Sequence, residues 1–202
     1  MCMRAHLRAY MREKPYCSDA PRSPVFNRRN VMQSIAALAL PLAPGMGPRA
    51  WARGAEAPLP KVGSTLALPA VTLLDGRRWR PAQAEGKLLV VYWWASWCPF
   101  CALQSPHMEA LWRAQKAKGL DLLALSIDKQ PAAAVNYMKA KGYSFPAGML
   151  TPEVARLLPK PVGLPVVVAL KVDGPGGRSG TVVFAESGEM FPEDVEGLKK
   201  YL

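Results

Sequence analysis

The apolar residues of this 202-residue chain fall into short continuous runs that alternate with segments of helical spacing. Residues 88–94 are apolar without interruption, which is typical of a central strand covered on both faces. From residue 98 to residue 118 the apolar positions recur at threes and fours, which predicts a helix that ends at Gly119. Residues 120–127 form a second buried strand. Because a helix crosses over between these strands, we expect them to be parallel neighbours in one sheet.

Further elements surround this β-α-β unit. An added N-terminal β-hairpin is predicted, with residues 66–74 as one arm, Asp75-Gly76 as the turn and residues 77–79 as the other arm. The others are a helix at 130–142, a short helix from 151 to about 158, strands at 166–172 and 180–186, and a C-terminal helix from 192 onwards. This order predicts an α/β fold in which a mixed central sheet is flanked by helices.

Composition indicates one domain in residues 58–202. Half of the chain is apolar, which is enough for one sizeable core. The formal net charge of +11 is uneven, since nine of the 26 Lys and Arg residues and three of the 15 acidic residues fall in residues 1–57. The rest of the chain is mildly basic and has no run of like charge, so we expect no nucleic-acid partner.

Residues 25–57 have the three parts of a cleaved export signal. Arg28 and Arg29 supply the positive region, residues 31–43 the apolar run, and Ala55-Glu56-Ala57 the small-residue cleavage motif. The apolar run is shorter than the ~20 residues that a spanning helix needs, so we expect no stable membrane span. The signal therefore predicts a periplasmic protein.

Two features of the N-terminal segment stay open. Ala50-Trp51-Ala52 is a second cleavage motif, and the paired arginines suit a twin-arginine signal and an ordinary secretory signal about equally. Residues 1–24 are Arg-rich and irregular, and they precede the point at which an export signal normally starts. We interpret them as a disordered or non-native leader, with translation starting near Val25, in which case Cys2 and Cys17 have no function.

Cys98 and Cys101 form the one C-x-x-C of the chain, where the predicted central strand turns into a helix. Unpaired N–H groups and the helix dipole favour a thiolate at such a helix start. We therefore expect Cys98 to be the exposed nucleophile with a lowered pKa. We expect Cys101, one turn later, to be the more buried resolving thiol. Pro99 between them suits the first helical position.

Two structural interpretations of this pair are weaker. A zinc site needs four ligands, and residues 58–202 hold no other cysteine and a single histidine, His107. A structural disulfide between Cys98 and Cys101 would close a very short loop and add little stability. We therefore expect redox chemistry by the two cysteines, with neither a metal nor another cofactor.

The motif resembles that of TlpA/ResA-type proteins, which are bacterial periplasmic thiol–disulfide oxidoreductases with the thioredoxin fold. The resemblance is carried by the sequence VYWWASWCPFC at residues 91–101, by Pro106 and by Gly163-Leu164-Pro165, and it covers about residues 60–202. It implies that Pro165 is the family's cis-proline, packed against the cysteines. It also implies that the backbone of Leu164 is free to pair with an extended client.

The resemblance implies partners as well as a fold. These are client proteins with thiols or disulfides, and a membrane-bound electron donor that regenerates the dithiol. Trp97 and Phe100 are expected to rim the site beside Leu164 and Pro165 and to contact apolar client segments. Trp93 and Trp94 are interpreted as core residues.

Three positions depart from the resemblance. Tyr92 stands where many thioredoxins have a buried acid, and Gln104 stands where cytochrome-maturation members commonly have a Glu. Both departures weaken the interpretation of this chain as a dedicated apocytochrome reductase. Phe100 cannot donate the hydrogen bond that a His gives the thiolate in strongly oxidising relatives, which favours a reductase or isomerase over an oxidase.

Two other functions compete with disulfide exchange. A thioredoxin-fold peptide-binding or holdase module without redox turnover is the main alternative, but binding alone needs neither cysteine. The third candidate function is that of a peroxidase, but the Pro-x-x-x-Thr-x-x-Cys context of a peroxidatic cysteine is absent around Cys98. The sequence therefore favours an enzyme that exchanges disulfides with other proteins.

Overall fold

The computed structural model describes residues 57–202 of the chain. The leader predicted at 1–24, and the signal predicted at 25–57 up to its last residue, lie outside the described residues, as do Cys2 and Cys17. Within the described part of the chain, no helix is both long enough and apolar enough to cross a membrane.

The centre of the fold is a six-stranded mixed sheet. Its strands are β1 (Thr65–Ala67), β4 (Leu88–Trp94), β5 (Leu120–Ser126), β6 (Ala147–Met149), β7 (Val166–Lys171) and β8 (Ser179–Ser187), and they lie side by side in the order β1-β8-β7-β4-β5-β6. A separate antiparallel pair is formed by β2 (Val71–Thr72) and β3 (Arg78–Trp79). Strands β4 and β5 are parallel, with Leu88 opposite Leu120, as the sequence predicts. Strands β4 and β7 are antiparallel, with Trp93 opposite Val166.

Four α-helices flank this sheet: α1 (Pro99–Gln115), α2 (Pro131–Lys141), α3 (Pro152–Ala155) and α4 (Pro192–Gly197). Short 3-10 turns follow α1 at Lys116–Lys118 and α4 at Leu198–Tyr201. Gly119 ends the α1 segment with φ = 97°, a left-handed conformation that glycine adopts without strain. Thr151 caps α3 by accepting a hydrogen bond from the N–H of Val154.

Strand β4 is apolar throughout because both of its faces are covered. Tyr92 and Trp94 point into one buried cluster, which also contains Cys101 and Met108 from α1. Val91 and Trp93 point into a second cluster on the opposite face of the sheet, with side chains such as Leu158. All seven residues of β4 are buried, so the prediction of a two-sided central strand is confirmed.

Some predicted boundaries are wrong. The single strand expected at residues 66–74 is divided: β1 pairs with β8 at one edge of the main sheet, whereas β2 pairs with β3. The third parallel strand, β6, was not predicted, because three residues are too few to give a pattern.

Ala57, the first described residue, is attached to the segment that precedes β7. Its N–H donates to the carbonyl of Lys160 at 2.9 Å, and its carbonyl accepts from the N–H of Val162 at 3.1 Å. This short parallel pairing brings the start of the described chain close to Pro161.

Candidate active site

The two cysteines lie where β4 passes into α1. Cys98 has extended backbone angles and caps the helix, and Pro99 is the first helical residue. The N–H of Cys101 donates to Cys98 Sγ at 3.3 Å. The sulfur of Cys98 therefore replaces a carbonyl partner for one of the free N–H groups at the helix start.

The two thiols differ in exposure. Cys101 is 0% exposed and Cys98 is 5% exposed, and both are free thiols in the structure. The predicted order is right, but the expectation of an exposed Cys98 is wrong. Its side chain turns back over the first turn of α1 to accept the Cys101 N–H instead of pointing into solvent.

The position of Cys101 favours its protonated form. Burial raises the pKa of the Cys101 thiol, and its contact with the Cys98 sulfur raises the pKa further. Hydrogen bonds from the backbone of Ala95 and the side chain of Tyr92 act in the opposite direction and do not outweigh burial. The balance of these effects leaves Cys101 as a protonated thiol with a raised pKa.

The loop before Cys98 is fixed by Asp128 at the end of β5. The Asp128 carboxylate accepts hydrogen bonds from Ser96 N–H at 3.1 Å and from Ser96 Oγ at 2.7 Å. It also accepts one from Ser126 Oγ at 2.7 Å. Because Asp128 is buried and Ser96 is two residues before Cys98, these bonds help to fix the backbone that leads to Cys98.

Behind the cysteines lies a group of buried hydroxyls. Tyr92 Oη is 2.9 Å from Ser105 Oγ and donates weakly to the carbonyl of Cys101 at 3.4 Å. Ser105 Oγ donates to the same carbonyl at 2.7 Å. The ring of Tyr92 meets that of Phe145 edge to face, with centroids 6.3 Å apart.

Gln104 connects α1 to the segment before α4. Its Oε1 accepts a hydrogen bond from the N–H of Met190 at 2.9 Å, and its buried Nε2 has no partner among the described residues. The bond places Phe191, the next residue, near the end of α1 that carries the cysteines.

The peptide bond between Leu164 and Pro165 is cis, as the family resemblance implies. Pro165 is held by its carbonyl, which accepts from Gly188 N–H at 2.8 Å. Within residues 57–202 the backbone N–H and C=O of Leu164 have no hydrogen-bond partner. The Leu164 side chain packs against the buried cluster that contains both cysteines.

Comparisons with known proteins agree with this geometry. Residues 62–151 match the sequence model of the AhpC/TSA family. Thiol-disulfide oxidoreductase ResA of Bacillus thuringiensis strain Al Hakam is 28% identical over 131 residues, which are 64% of this chain and 72% of ResA.

Solved structures share the fold at lower identity. A thiol:disulfide interchange protein of the thioredoxin family from Chlorobium tepidum is similar with a TM-score of 0.58 and 24% identity, over 68% of this chain and 96% of that one. A secreted Mycobacterium tuberculosis disulfide oxidoreductase is similar with a TM-score of 0.53 and 18% identity, over 66% of this chain and 96% of that one. The chain has the thioredoxin fold, and its sequence is similar to that of thiol-disulfide oxidoreductases of the ResA type.

The rim of the cysteine pair is apolar and open. Trp97 is 65% exposed and Phe100 is about half exposed, whereas Trp93 and Trp94 are buried core residues, as expected. The sequence analysis missed Phe191, which is 76% exposed.

Leu103 extends the exposed apolar surface by one turn of α1. Its spacing of three residues from Phe100 was an available signal, since both then lie on one side of the helix. No comparable signal exists for Phe191, because it reaches the site from a distant part of the chain.

Within residues 57–202, no group of three or more His, Cys, Asp and Glu side chains is arranged so that it could hold a metal ion. His107, the histidine of this part of the chain, lines a cavity of about 300 Å³ between α1 and α4 with Leu111 and Val195. It is therefore placed along the helix groove and not at the sulfur pair.

Proposed function

We propose that this oxidoreductase acts as a TlpA-like reductase or isomerase of protein disulfides outside the cytoplasm, with Cys98 and Cys101 as its redox pair. The observation that carries the proposal is the asymmetry of the pair at the helix start. The Cys98 sulfur accepts an N–H of the first turn of α1, and Cys101 is fully buried behind it. A nucleophile and a protected resolving thiol need this arrangement.

In the proposed reaction the Cys98 thiolate attacks one sulfur of a client disulfide. A mixed disulfide forms, and the other client sulfur leaves as a thiolate. The proton of Cys101 passes to that released thiolate, and the Cys101 sulfur attacks the sulfur of Cys98. The disulfide between Cys98 and Cys101 forms, the second client sulfur leaves, and the client has gained the two electrons that the dithiol has lost.

Client binding is assigned to Trp97, Phe100, Leu164 and Pro165. The unpaired backbone of Leu164 offers one donor and one acceptor to an extended client segment, which can add to it as a strand would. The exposed rings of Trp97 and Phe100 supply apolar contact area beside the sulfur atoms. Clients are therefore proteins whose disulfides lie in extended, partly apolar segments.

The direction of electron flow follows from what surrounds the Cys98 sulfur. Pro99 has no N–H and Phe100 has no polar side-chain group, so neither stabilises a thiolate. A less stabilised reduced form makes the disulfide a weaker oxidant. We therefore place the pair in the reducing half of the span from about −120 mV for the strongest oxidant to about −270 mV for thioredoxin.

Export and regeneration complete the proposal. The signal proposed at residues 25–57 sends the domain at 58–202 to the periplasm, and a membrane-bound electron donor reduces the pair after each turnover. No cofactor takes part, because the two sulfurs carry the electrons. Residues 1–24 are a leader without a role in the reaction.

The test is reduction of insulin disulfides by the full chain with Cys2→Ser and Cys17→Ser, so that Cys98 and Cys101 are the remaining thiols. We expect catalysed reduction, and an equilibrium potential against glutathione in the reducing half of that span. A potential near the strong-oxidant end would make the chain a disulfide-introducing enzyme. Absence of turnover, together with suppression of client aggregation, would favour the holdase.

A further inference from the structure

Asp128 is a buried acidic residue just after the carboxyl end of β5, and it faces the turn that carries Cys98. The register of β4 and β5 places Trp94 opposite Ser126, and its continuation places Ser96 opposite Asp128. The Asp128 carboxylate accepts hydrogen bonds from Ser96 Oγ at 2.7 Å and from Ser96 N–H at 3.1 Å. Ser96 is therefore held by both its backbone and its side chain.

Ser96 belongs to a tight turn between β4 and α1. The N–H of Cys98 donates to the carbonyl of Ala95 at 3.2 Å and closes this four-residue turn over residues 95–98. Cys98 is the last residue of the turn and the cap of α1, and its sulfur accepts the N–H of Cys101 at 3.3 Å. Holding Ser96 inside the turn therefore restricts where the Cys98 sulfur lies relative to Cys101.

We propose that Asp128 is a positioning residue for the second half of disulfide exchange: its bonds to Ser96 hold the turn so that the two cysteine sulfurs stay within reach of each other. The inference rests on the proposed function of the pair and deepens it. In that second half, the proton of Cys101 has passed to the client sulfur that was released first. The Cys101 sulfur attacks the sulfur of Cys98, the disulfide between them forms, and the remaining client sulfur leaves as a thiolate.

The physical reason is that attack within one molecule depends on how closely the reacting atoms are held. A misplacement of about 1 Å can cost on the order of a hundredfold in rate. Asp128 suits this task because it is only 6% exposed, and a buried charge is costly unless donors face it. Hydrogen bonds to a charged acceptor are also stronger than neutral ones, so these bonds resist loosening of the turn.

The experiment separates the two halves of the exchange. Reduced full chain carrying Cys2→Ser and Cys17→Ser is mixed with half an equivalent of Ellman's reagent, and release of the coloured thiol is followed by stopped flow. Attack by Cys98 on the reagent releases the first coloured thiol, at a rate that rises with protein concentration. Attack by Cys101 on the mixed disulfide releases the second, at a rate that does not. The second phase therefore measures how the two sulfurs are positioned.

Ser96→Ala removes the Oγ bond to Asp128 and leaves the carboxylate charge in place. We expect it to slow the second phase by roughly tenfold, the factor for loss of one hydrogen bond to a charged group, and to leave the first phase within about twofold. Asp128→Asn weakens both bonds to Ser96 and should slow the second phase at least as much. Combining the two substitutions should add little to Asp128→Asn alone, because both act through one contact.

Ser126→Ala is the matched control. Ser126 Oγ donates to the same carboxylate at the same distance of 2.7 Å, but Ser126 lies in β5 and not in the turn. Because Ser126 is fully buried and Ser96 is half-buried, Ser126→Ala should lower the unfolding temperature at least as much as Ser96→Ala. It should nevertheless slow the second phase clearly less.

A second phase at the parental rate in Ser96→Ala, or equal slowing of both phases, would overturn the inference. So would equal slowing of the second phase by Ser96→Ala and Ser126→Ala, which is what a general loss of stability predicts. Slowing in Ser96→Ala that a folded Asp128→Asn does not reproduce would remove Asp128 from the role. A parent chain that shows no second phase would instead overturn the proposed function of the pair. Thermal unfolding identifies the folded variants, and Ser96→Ala alone tests the inference if Asp128→Asn does not fold.

Discussion

Helix α1 has two chemically different sides at the end that carries the cysteines. On its inner side Cys101 and Ser105 are fully buried and meet Tyr92 from β4. On its outer side Phe100 and Leu103 are exposed, and Gln104 binds the backbone of Met190, the neighbour of the exposed Phe191. Under the proposed function, this one helix separates electron transfer, which needs a protected sulfur, from client contact, which needs accessible apolar surface. Substitutions on the two sides should therefore change different kinetic constants.

The largest effect is expected at the sulfurs themselves. Cys98→Ser should lower insulin reduction by at least about a thousandfold, because the nucleophile is lost. Cys101→Ser should instead accumulate mixed disulfides with clients, which non-reducing gels detect. If Cys101 proves to be the thiol that alkylates faster near neutral pH, the assignment of inner and outer roles is reversed.

Glu109 lies on the inner side of α1, farther from the two cysteines, so a substitution there separates stability from thiol reactivity. Its carboxylate accepts hydrogen bonds from the N–H groups of Ser144 and Phe145 at 2.7 and 3.1 Å, and it pairs with Arg113. Glu109→Gln should lower the free energy of unfolding by about 1–3 kcal/mol while leaving thiol reactivity unchanged. Urea unfolding measures this, with the exposed Glu186→Gln as the matched control.

The difference in stability between the parent and Glu109→Gln should depend on pH. Burial alone would raise the pKa of Glu109, but hydrogen bonds from Ser144, together with Arg113, hold it below its usual value of 4.5. A carboxyl whose pKa is lower in the folded state contributes stability above its unfolded pKa and loses it as pH falls through the folded pKa. The stability difference between parent and Glu109→Gln should therefore shrink below pH 4.5; a constant difference down to acid pH would contradict it.

Phe100 lies on the outer side but next to the sulfurs, so it links the two functions. Phe100→His should raise the reduction potential by about 30 mV, which corresponds to ~1.4 kcal/mol for two electrons, because the imidazole can donate to the thiolate. Titration in glutathione buffers measures the shift. Leu103→His, one turn farther along the exposed side, is the control and should leave the potential unchanged; an equal shift in both would point to charge alone.

The smallest effect is expected at the exposed Phe191. Phe191→Ser should raise KM for an unfolded client by about three- to tenfold at constant kcat, since it removes binding that is the same in the ground and transition states. Serine is also a favourable residue at this helix-capping position, so the fold should persist. Leu157→Ser removes an exposed apolar residue elsewhere in the chain and should not change KM. A fall in kcat with KM unchanged would place Phe191 in the chemistry.

The sequence predicts the parts of this molecule that depend on local pattern. The uninterrupted run of β4, the helix that starts at Cys98 and the parallel β5 follow from periodicity and from the crossover rule. The cis bond before Pro165 follows from the family resemblance alone, since proline by itself favours trans.

Other features of the site are not visible in local sequence pattern, and the position of Phe191 is the main example. Phe191 reaches the cysteine end of α1 because Gln104 binds the backbone of Met190, and no local spacing encodes that bond. The low exposure of Cys98 has a local origin instead: its sulfur accepts the N–H of Cys101 in the first turn of α1, and the sequence pattern does not show which way the side chain turns. In the sequence, Tyr92 is recognised only as the residue that stands where many thioredoxins have a buried acid. Its contact with Ser105 depends on the packing of β4 against α1.

The attachment of Ala57 to residues 160–162 bears on how the protein is trimmed during export. A signal peptidase that cuts after Ala57 would discard a residue whose two backbone hydrogen bonds hold the segment leading to Leu164 and Pro165. A cut after Ala52 leaves that attachment on the finished protein. With the signal proposed at residues 25–57, N-terminal sequencing of the exported form should start at Pro58, and the segment leading to Leu164 and Pro165 then loses this attachment as the protein matures. A start at Arg53 would mean that the attachment is kept.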